Sequence, residues 1–280
     1  MKTILLPTDF SDNSWNAIEY AINFYRDSAC TFYLLHVNKL NNDVIDDYLF
    51  ASNSNTIVND NSGKIKNQLK IFLKKIAKKY PNYKNHHFST IIETDSFIES
   101  IRKHTLQKKV DIIVMGTKGA SGLSNFIIGT NTSDVITKVK STILVIPENA
   151  KFKKVEEVAF PTDFSLSNNL QLLQPITDLL EKNSSSLRIL NISKKSLSLD
   201  SYQQKRKQLL DDYFYYYKHS FHFLTNEKVE NAVQSFVKSS AIDMIAMVAK
   251  NLNYFQQILF HNKVEEISYH TDIPFLVLHE

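Results

Sequence analysis

Gly116, Gly119, Gly122 and Gly129 are four of the five glycines in this 280-residue chain, and no glycine follows them. Glycine is too scarce here to be loop filler. The cluster points to a place where the backbone turns sharply or where another group must come close to it. The window runs from Met115 through Gly-Thr-Lys-Gly-Ala-Ser-Gly-Leu-Ser-Asn-Phe-Ile-Ile to Gly129 and Thr130. An apolar run, Val110 to Met115, precedes it, and a helical pattern, Thr130 to Lys140, follows. Strand, glycine loop and helix N-terminus together offer unpaired backbone N–H groups and the positive end of a helix dipole, which is phosphate-binding chemistry.

Other chemistries find less support. The one Gly-Lys pair, Gly63-Lys64, has Val58 where a phosphate-binding P-loop needs its first glycine. The dinucleotide fingerprint Gly-x-Gly-x-x-Gly is absent after the first apolar run. His219 and His222 have no carboxylate or cysteine at zinc spacing, and His86 and His87 would point to opposite faces of a strand. A single cysteine, Cys30, excludes an intramolecular disulfide. No catalytic set and no protein-only metal site is expected.

The glycine window must be held by a scaffold, and the chain shows it as a duplication. Leu6-Pro-Thr-Asp-Phe-Ser11 recurs as Phe160-Pro-Thr-Asp-Phe-Ser165, Asp111-Ile-Ile-Val-Met115 returns as Asp243-Met-Ile-Ala-Met247, and Ile143–Ile146 is echoed by Phe275–Leu278. The first copy is the longer, with much of the excess in the polar segment Asn41 to Ser62. Length fits two domains, 1–150 and 151–280. Alternating apolar runs and helical patterns predict an α/β fold, two tandem doubly wound parallel sheets of five strands. Strands are expected at Thr3–Leu6, Phe32–His36, His87–Ile92, Ile112–Met115 and Thr142–Ile146, with helices at Ser11–Tyr25, Lys64–Lys79, Ser96–Thr105 and Asn131–Val139. Ser11 is a good N-cap, and Ser165 repeats it, although Pro175 should kink or shorten the helix that follows. Asp9, Val37 and Met115 fall at carboxyl ends of strands, where such sheets bind ligands.

The net charge of +4 lies in the first half, where Lys64 to Lys84 holds eight lysines. Ile65, Leu69, Phe72, Leu73, Ile76 and Ala77 recur there at helical spacing, so the segment reads as a buried stripe with a solvated lysine face. It lacks the arginines and interleaved aromatics of a nucleic-acid surface, and no apolar stretch is long enough to span a bilayer. Neither nucleic acid nor membrane is expected as a partner, and the N-terminus lacks the features of a signal peptide, so the expected location is cytoplasmic. Tyr213-Phe-Tyr-Tyr-Tyr217 is read as core or interface rather than a recognition surface.

With Pro-Thr-Asp-Phe-Ser at the start, His36-Val37 after the second strand and the glycine loop in register, the whole chain resembles a tandem universal stress protein. The family's ATP-binding signature of Gly, two residues, Gly, nine residues, Gly, then Ser or Thr is matched by Gly116, Gly119, Gly129 and Thr130. The resemblance implies a Rossmann-like domain in each copy and an adenine nucleotide, ATP or AMP, in the first. Pro7, Thr8 and Asp9 would line the adenosine and Val37 would meet the adenine edge. Met115, Gly116, Lys118 and Gly119 would face ribose and first phosphate, while Gly129, Thr130, Asn131 and Thr132 would hold the outer phosphates. Mg²⁺ would arrive only with the nucleotide. Three of these residues have plainer readings as well: Asp9 as a turn residue, Val37 as a core residue, Thr130 as a helix cap.

In the second copy Gly116, Gly119, Gly129 and Thr130 become Val248, Asn251, His261 and Asn262. Side chains thus occupy positions where backbone would touch phosphate, and one nucleotide per chain is expected. The family's habit of pairing subunits through last strands implies an intrachain pseudo-dimer, Thr142–Ile146 against Phe275–Leu278, with a further homodimer open. The expected function is a stress-response or signalling module that binds adenine nucleotide, with little or no catalysis and an unknown protein partner. The alternatives are a slow ATPase or phosphotransferase and a non-nucleotide scaffold.

Overall fold

A computed structural model describes residues 1–38, 54–117, 129–166, 169–193, 198–225, 229–249 and 272–279, without the side chains of 54–62 and 229–231. In the first half β1 (Lys2–Pro7), α1 (Asp12–Phe24), β2 (Cys30–Val37), α2 (Ser54–Lys79), β3 (His86–Glu93), α3 (Phe97–Gln107), β4 (Ile112–Gly116), α4 (Thr130–Lys138) and β5 (Ile143–Ile146) alternate. In the second half come β6 (Glu157–Pro161), α5 (Gln174–Asn183), β7 (Ser186–Ser193), α6 (Ser201–Tyr213), β8 (His219–Thr225), α7 (Val229–Ser239), β9 (Met244–Val248) and β10 (Phe275–Leu278). The expected strands and helices of the first half are all present, with one difference in extent: α2 reaches back to Ser54. Its first ten residues are mostly Asn, Ser, Thr and Asp, which carry no apolar period to read.

All ten strands join one sheet in the order β3-β2-β1-β4-β5-β10-β9-β6-β7-β8. Counted from β6, the second half repeats the order of the first. Pairing is parallel within each half. Between β5 and β10 it is antiparallel, with Leu276 opposite Leu144. The halves therefore run in opposite directions, and their carboxyl strand ends lie at opposite edges of the sheet. Successive strand residues face opposite sides. Ile4 and Leu6 join one apolar cluster with residues of α1, α2, α5 and α6, whereas Leu5 joins another with residues of α3, α4 and α7. Each cluster draws on both halves, so the core on either face is continuous across the β5–β10 seam.

Helix starts follow the capping chemistry in part. Ser11 accepts from the Ser14 amide and caps α1, and Ser96 caps α3 in the same way. Ser165 does not repeat this role. Pro175 sits at the start of α5, which begins only at Gln174 after a short 3₁₀ turn, Leu170–Leu173. Proline is well placed in a helix's first turn and poorly placed beyond it, so the second-half helix is shortened from its N-terminal end. The seam is also tied from above: Lys182 of α5 donates to the Phe24 carbonyl at 2.7 Å, at the C-terminus of α1, and lies 4.7 Å from the Tyr25 ring centroid. Burial pulls the Lys182 ammonium below its ordinary pKa. Among the described residues no helix is long and apolar enough to cross a membrane.

Candidate functional site

Strand order in the first half reverses at β1, which has β2 on one side and β4 on the other. The carboxyl ends of these three strands therefore lie side by side, and they bring Pro7, Thr8, Asp9, Val37, Met115 and Gly116 to one edge. Lys118, Gly119 and Gly122 lie outside the described residues, as do Asn251, His261 and Asn262 of the second half.

Pro7 and Thr8 are buried and Asp9 is exposed. The Thr8 amide donates to the Leu35 carbonyl at 2.8 Å. Its hydroxyl lies 2.9 Å from that of Ser14 and accepts from the Phe10 amide at 3.1 Å. Phe10 takes a left-handed φ of 66°, which drives its ring onto His36 at 4.5 Å between centroids. Asp9 Oδ1 accepts from the Ser11 amide at 3.1 Å and the Ser11 hydroxyl at 2.6 Å. Proline, threonine, aspartate and serine thus build one turn that hands the chain from β1 to the cap of α1.

The second half repeats the threonine and aspartate bonds of this turn. Phe164 has φ 63°, its amide meets Thr162 Oγ1 at 3.0 Å, and Asp163 Oδ1 accepts from Ser165 amide and hydroxyl at 2.9 and 2.6 Å. The shared threonine, aspartate, phenylalanine and serine therefore have one turn role in both halves. His36, to which the sequence analysis assigned no role of its own, belongs to the same unit. Its Nδ1 sits 2.8 Å from the Thr8 carbonyl, and Asn191 Nδ2 donates to the Thr162 carbonyl at 2.9 Å in the second half. A carbonyl can only accept, so His36 Nδ1 carries the proton that makes this bond. The signal was there in the alignment of Phe32–Val37 with Leu187–Ile192, which pairs His36 with Asn191.

What differs between the halves is the loop after β4. Val37 and Met115 both pack on the core of the α3–α4 face, so each offers the site its backbone more than its side chain. A Cβ on Gly116 would lie 2.8 Å from Cγ and Oδ1 of Asn13, so this glycine makes room for the first turn of α1. At the aligned position Val248 carries a full side chain, packed on the core of its own face.

Two hydrogen bonds clasp the base of the glycine loop. The Gly129 amide donates to the Thr117 carbonyl at 2.5 Å, and the buried Thr132 hydroxyl to the Gly116 carbonyl at 2.7 Å. They hold the N-terminus of α4 against the carboxyl end of β4. Gly129 is the N-cap of α4 and brings no side-chain hydrogen bond; Thr130 and Asn131 behind it are exposed. The first turn contains no acidic residue. First-turn amides have no intrahelical carbonyl, so this end presents donors and a partial positive charge. An anion is the ligand such an end takes.

The opposite ends of the strands serve the fold. Asp111 Oδ2 accepts from the Thr3 amide at 2.7 Å. Asp243 Oδ2 accepts from the Glu156 and Glu157 amides at 2.8 and 3.0 Å, and its Oδ1 meets Lys153 at 2.6 Å. The repeated aspartates that helped reveal the duplication therefore staple the start of β4 to β1 and of β9 to β6. Burial alone would raise the Asp243 pKa, but the Lys153 ammonium and the two amides outweigh it and hold the carboxyl below its ordinary range. Cys30 is buried, and burial pushes its thiol up, away from the reactive thiolate.

Comparison with known proteins agrees with this fold. Universal stress protein MJ0531 of Methanocaldococcus jannaschii is 28% identical over 153 residues, which cover 54% of this chain and 84% of that protein. Universal stress protein MJ0577 of the same organism is also 28% identical, over 155 residues that cover 52% of this chain and 94% of its own. Over nearly the full length, the crystal structure of a universal stress protein from Archaeoglobus fulgidus superposes with a TM-score of 0.72 at 17% identity, covering 98% of this chain and 97% of that one, which shows a common fold. The pattern of the Universal stress protein family matches residues 1–147, more than half of the sequence and the half that holds the clasped glycine loop, and by that match the chain belongs to the universal stress protein family.

Proposed function

We propose that the first half is a receptor for an adenine nucleotide, ATP or AMP, and that the protein acts as a cytoplasmic stress-response or signalling module with little or no catalysis. The observation that carries this reading is the α4 N-terminus, capped by a glycine without a side chain and clasped to the end of β4 at the point where strand order reverses. Phosphate oxygens would meet the amides of Thr130, Asn131 and Thr132 and the Thr130 hydroxyl. The base would lie toward the end of β2, where the Val37 backbone is at the sheet edge, with Asp9 beside it. Mg²⁺ would enter only on a bound triphosphate. The second half, with Val248 in place of Gly116, would serve as a structural partner, making 1–150 and 151–280 unequal domains.

The test is isothermal titration of nucleotide-stripped protein with ATP and Mg²⁺, and with AMP alone, for the wild type and Gly129→Val. Gly129 has φ −67° and ψ 160°, a conformation that valine adopts readily, so the variant puts a side chain at the helix end without backbone strain. The expected result is about one site per chain in the wild type and at least tenfold weaker binding in the variant. A wild type that binds no adenine nucleotide would sink the reading in favour of a scaffold.

A further inference from the structure

The outward face of α2 is lysine. Lys66, Lys70, Lys74 and Lys78 recur every four residues, all exposed, and make no ion pair among the described residues. At 1.5 Å rise per residue the row is about 18 Å long. Ile65, Leu69 and Ile76 point the other way, into the core. Each neighbouring lysine pair is a like-charge i, i+4 contact, which disfavours a helix by roughly 0.2–0.5 kcal/mol. Residues 63–79 hold no acidic side chain to offset it. Folding does not require this arrangement, since glutamate at alternate positions would serve α2 better. Amid the row Ile71 is 52% exposed.

The row ends at a recess. Where α2 terminates, Lys79 and Tyr80 join Asn16, Glu19, Tyr20 and Asn23 of α1 and Ala150, Lys151 and Phe152 of the connector to line an open hollow of about 360 Å³. None of the residues assigned to the nucleotide site lines it. Its wall mixes polar residues with the aromatic Tyr20, Tyr80 and Phe152, and the Tyr20 and Phe152 rings meet edge to face at 5.5 Å. Its charged groups are Lys79, paired with Glu19, and Lys151, which reaches the Asn16 side-chain oxygen at 3.1 Å. Asn16 is committed to the connector, donating to the carbonyls of Pro147, Glu148 and Ala150 at 3.0–3.3 Å, so the hollow is braced rather than collapsible.

We infer that α2 and this recess form a docking surface for an acidic segment of a partner protein, its carboxylates along the lysine row and one apolar side chain in the hollow. A linear row complements an extended or helical acidic peptide. The absence of arginine and of exposed aromatics along the row disfavours nucleic acid, whose bases need stacking partners. The surface operates independently of whether the first half binds nucleotide.

A suitable probe is a fluorescein-labelled peptide of eight glutamates interrupted by one central phenylalanine, followed by fluorescence anisotropy with the full chain. The wild type should bind it, with affinity falling at least tenfold between about 20 and about 200 mM salt, because exposed charges are screened beyond about 7 Å at the upper end. Lys70→Glu/Lys74→Glu should weaken binding at least tenfold and flatten the salt dependence. Phe152→Ala, or alanine for the peptide's phenylalanine, should weaken binding about threefold at unchanged salt dependence. Equal binding by the double lysine variant would overturn the proposal, as would no binding by the wild type. Vesicles of phosphatidylcholine with about one-third phosphatidylserine serve as the contrast. Lysine-dependent binding to them without binding to the peptide would overturn the protein partner in favour of a membrane surface.

Discussion

Gly116 shows how one residue can be demanded by packing at a site whose chemistry suggests a ligand. Its missing Cβ leaves space that the Asn13 side chain fills from α1. Gly116→Ala should therefore destabilise the protein by about 1–3 kcal/mol, the cost of overpacking a filled interior. The check is a double-mutant cycle with Asn13→Ala under urea denaturation: the pair should lose less than the sum of the single losses, because the clash needs both side chains. Strict additivity would mean that Asn13 is not the obstacle. Gly129 is a different case, since its backbone angles suit any residue and its value lies in bringing no side chain to the helix end. The two glycines were indistinguishable in the sequence, where spacing alone joined them. Asp9 and Thr8 likewise read as candidate ligand groups, yet they make the same turn bonds as Asp163 and Thr162 in the half without the glycine loop.

Among the elements, β4 and β9 are anchored at their starts by one carboxylate each. Asp243→Asn keeps one side-chain oxygen for the two backbone amides but removes the charge that strengthens both bonds and pairs with Lys153. The contribution of Lys153 is smaller, because its side chain is 64% exposed and its pair is screened. Charged hydrogen bonds of this kind contribute about 1.5–3 kcal/mol each before solvation is counted, so a net loss of about 1–3 kcal/mol is expected. The depressed Asp243 pKa sets the pH window. Its stabilisation is complete above the unfolded carboxylate pKa of about 3.9 and is lost as pH falls through the lower folded value. Denaturant unfolding at pH 6 and pH 3 should therefore show wild type and Asp243→Asn converging at the acid end. A constant gap between them would assign the effect to shape rather than charge. The helices taught a related lesson: Ser11 and Ser165 both close a Pro-Thr-Asp-Phe-Ser turn, yet only Ser11 caps a helix, and α5 starts later, beside Pro175.

Across the whole molecule, the seam is the main structural event. β5 and β10 are fully buried short strands in the middle of a ten-stranded sheet, and the apolar clusters on both faces run through them. Scanning calorimetry should give one unfolding transition for the full chain rather than one for each half. Phe275→Ala, at the start of β10 in this seam, should lower the stability by about 3–5 kcal/mol without splitting the transition. Two resolved transitions in the wild type would mean that the halves fold separately despite the common sheet. The antiparallel join also sends the two sets of carboxyl strand ends to opposite edges, so a ligand in the first half meets no counterpart from the second across a shared crevice.

The sequence by itself determined the alternation of strands and helices, the duplication and the neighbourhood of the glycine loop. These rest on local causes: apolar periodicity, Ser11 and Ser96 as caps, and a turn motif whose bonds span only a few residues. Only the tertiary structure decided the rest, because its causes are contacts between distant residues. Residue 13 shapes the requirement at 116; Thr117 and Thr132 clasp the loop from either side; Asp243 holds amides 86 residues away; Lys182 closes the end of α1 from the other half. No window of sequence contains both partners of such a contact, and it comes into being only when the sheet sets the strands side by side.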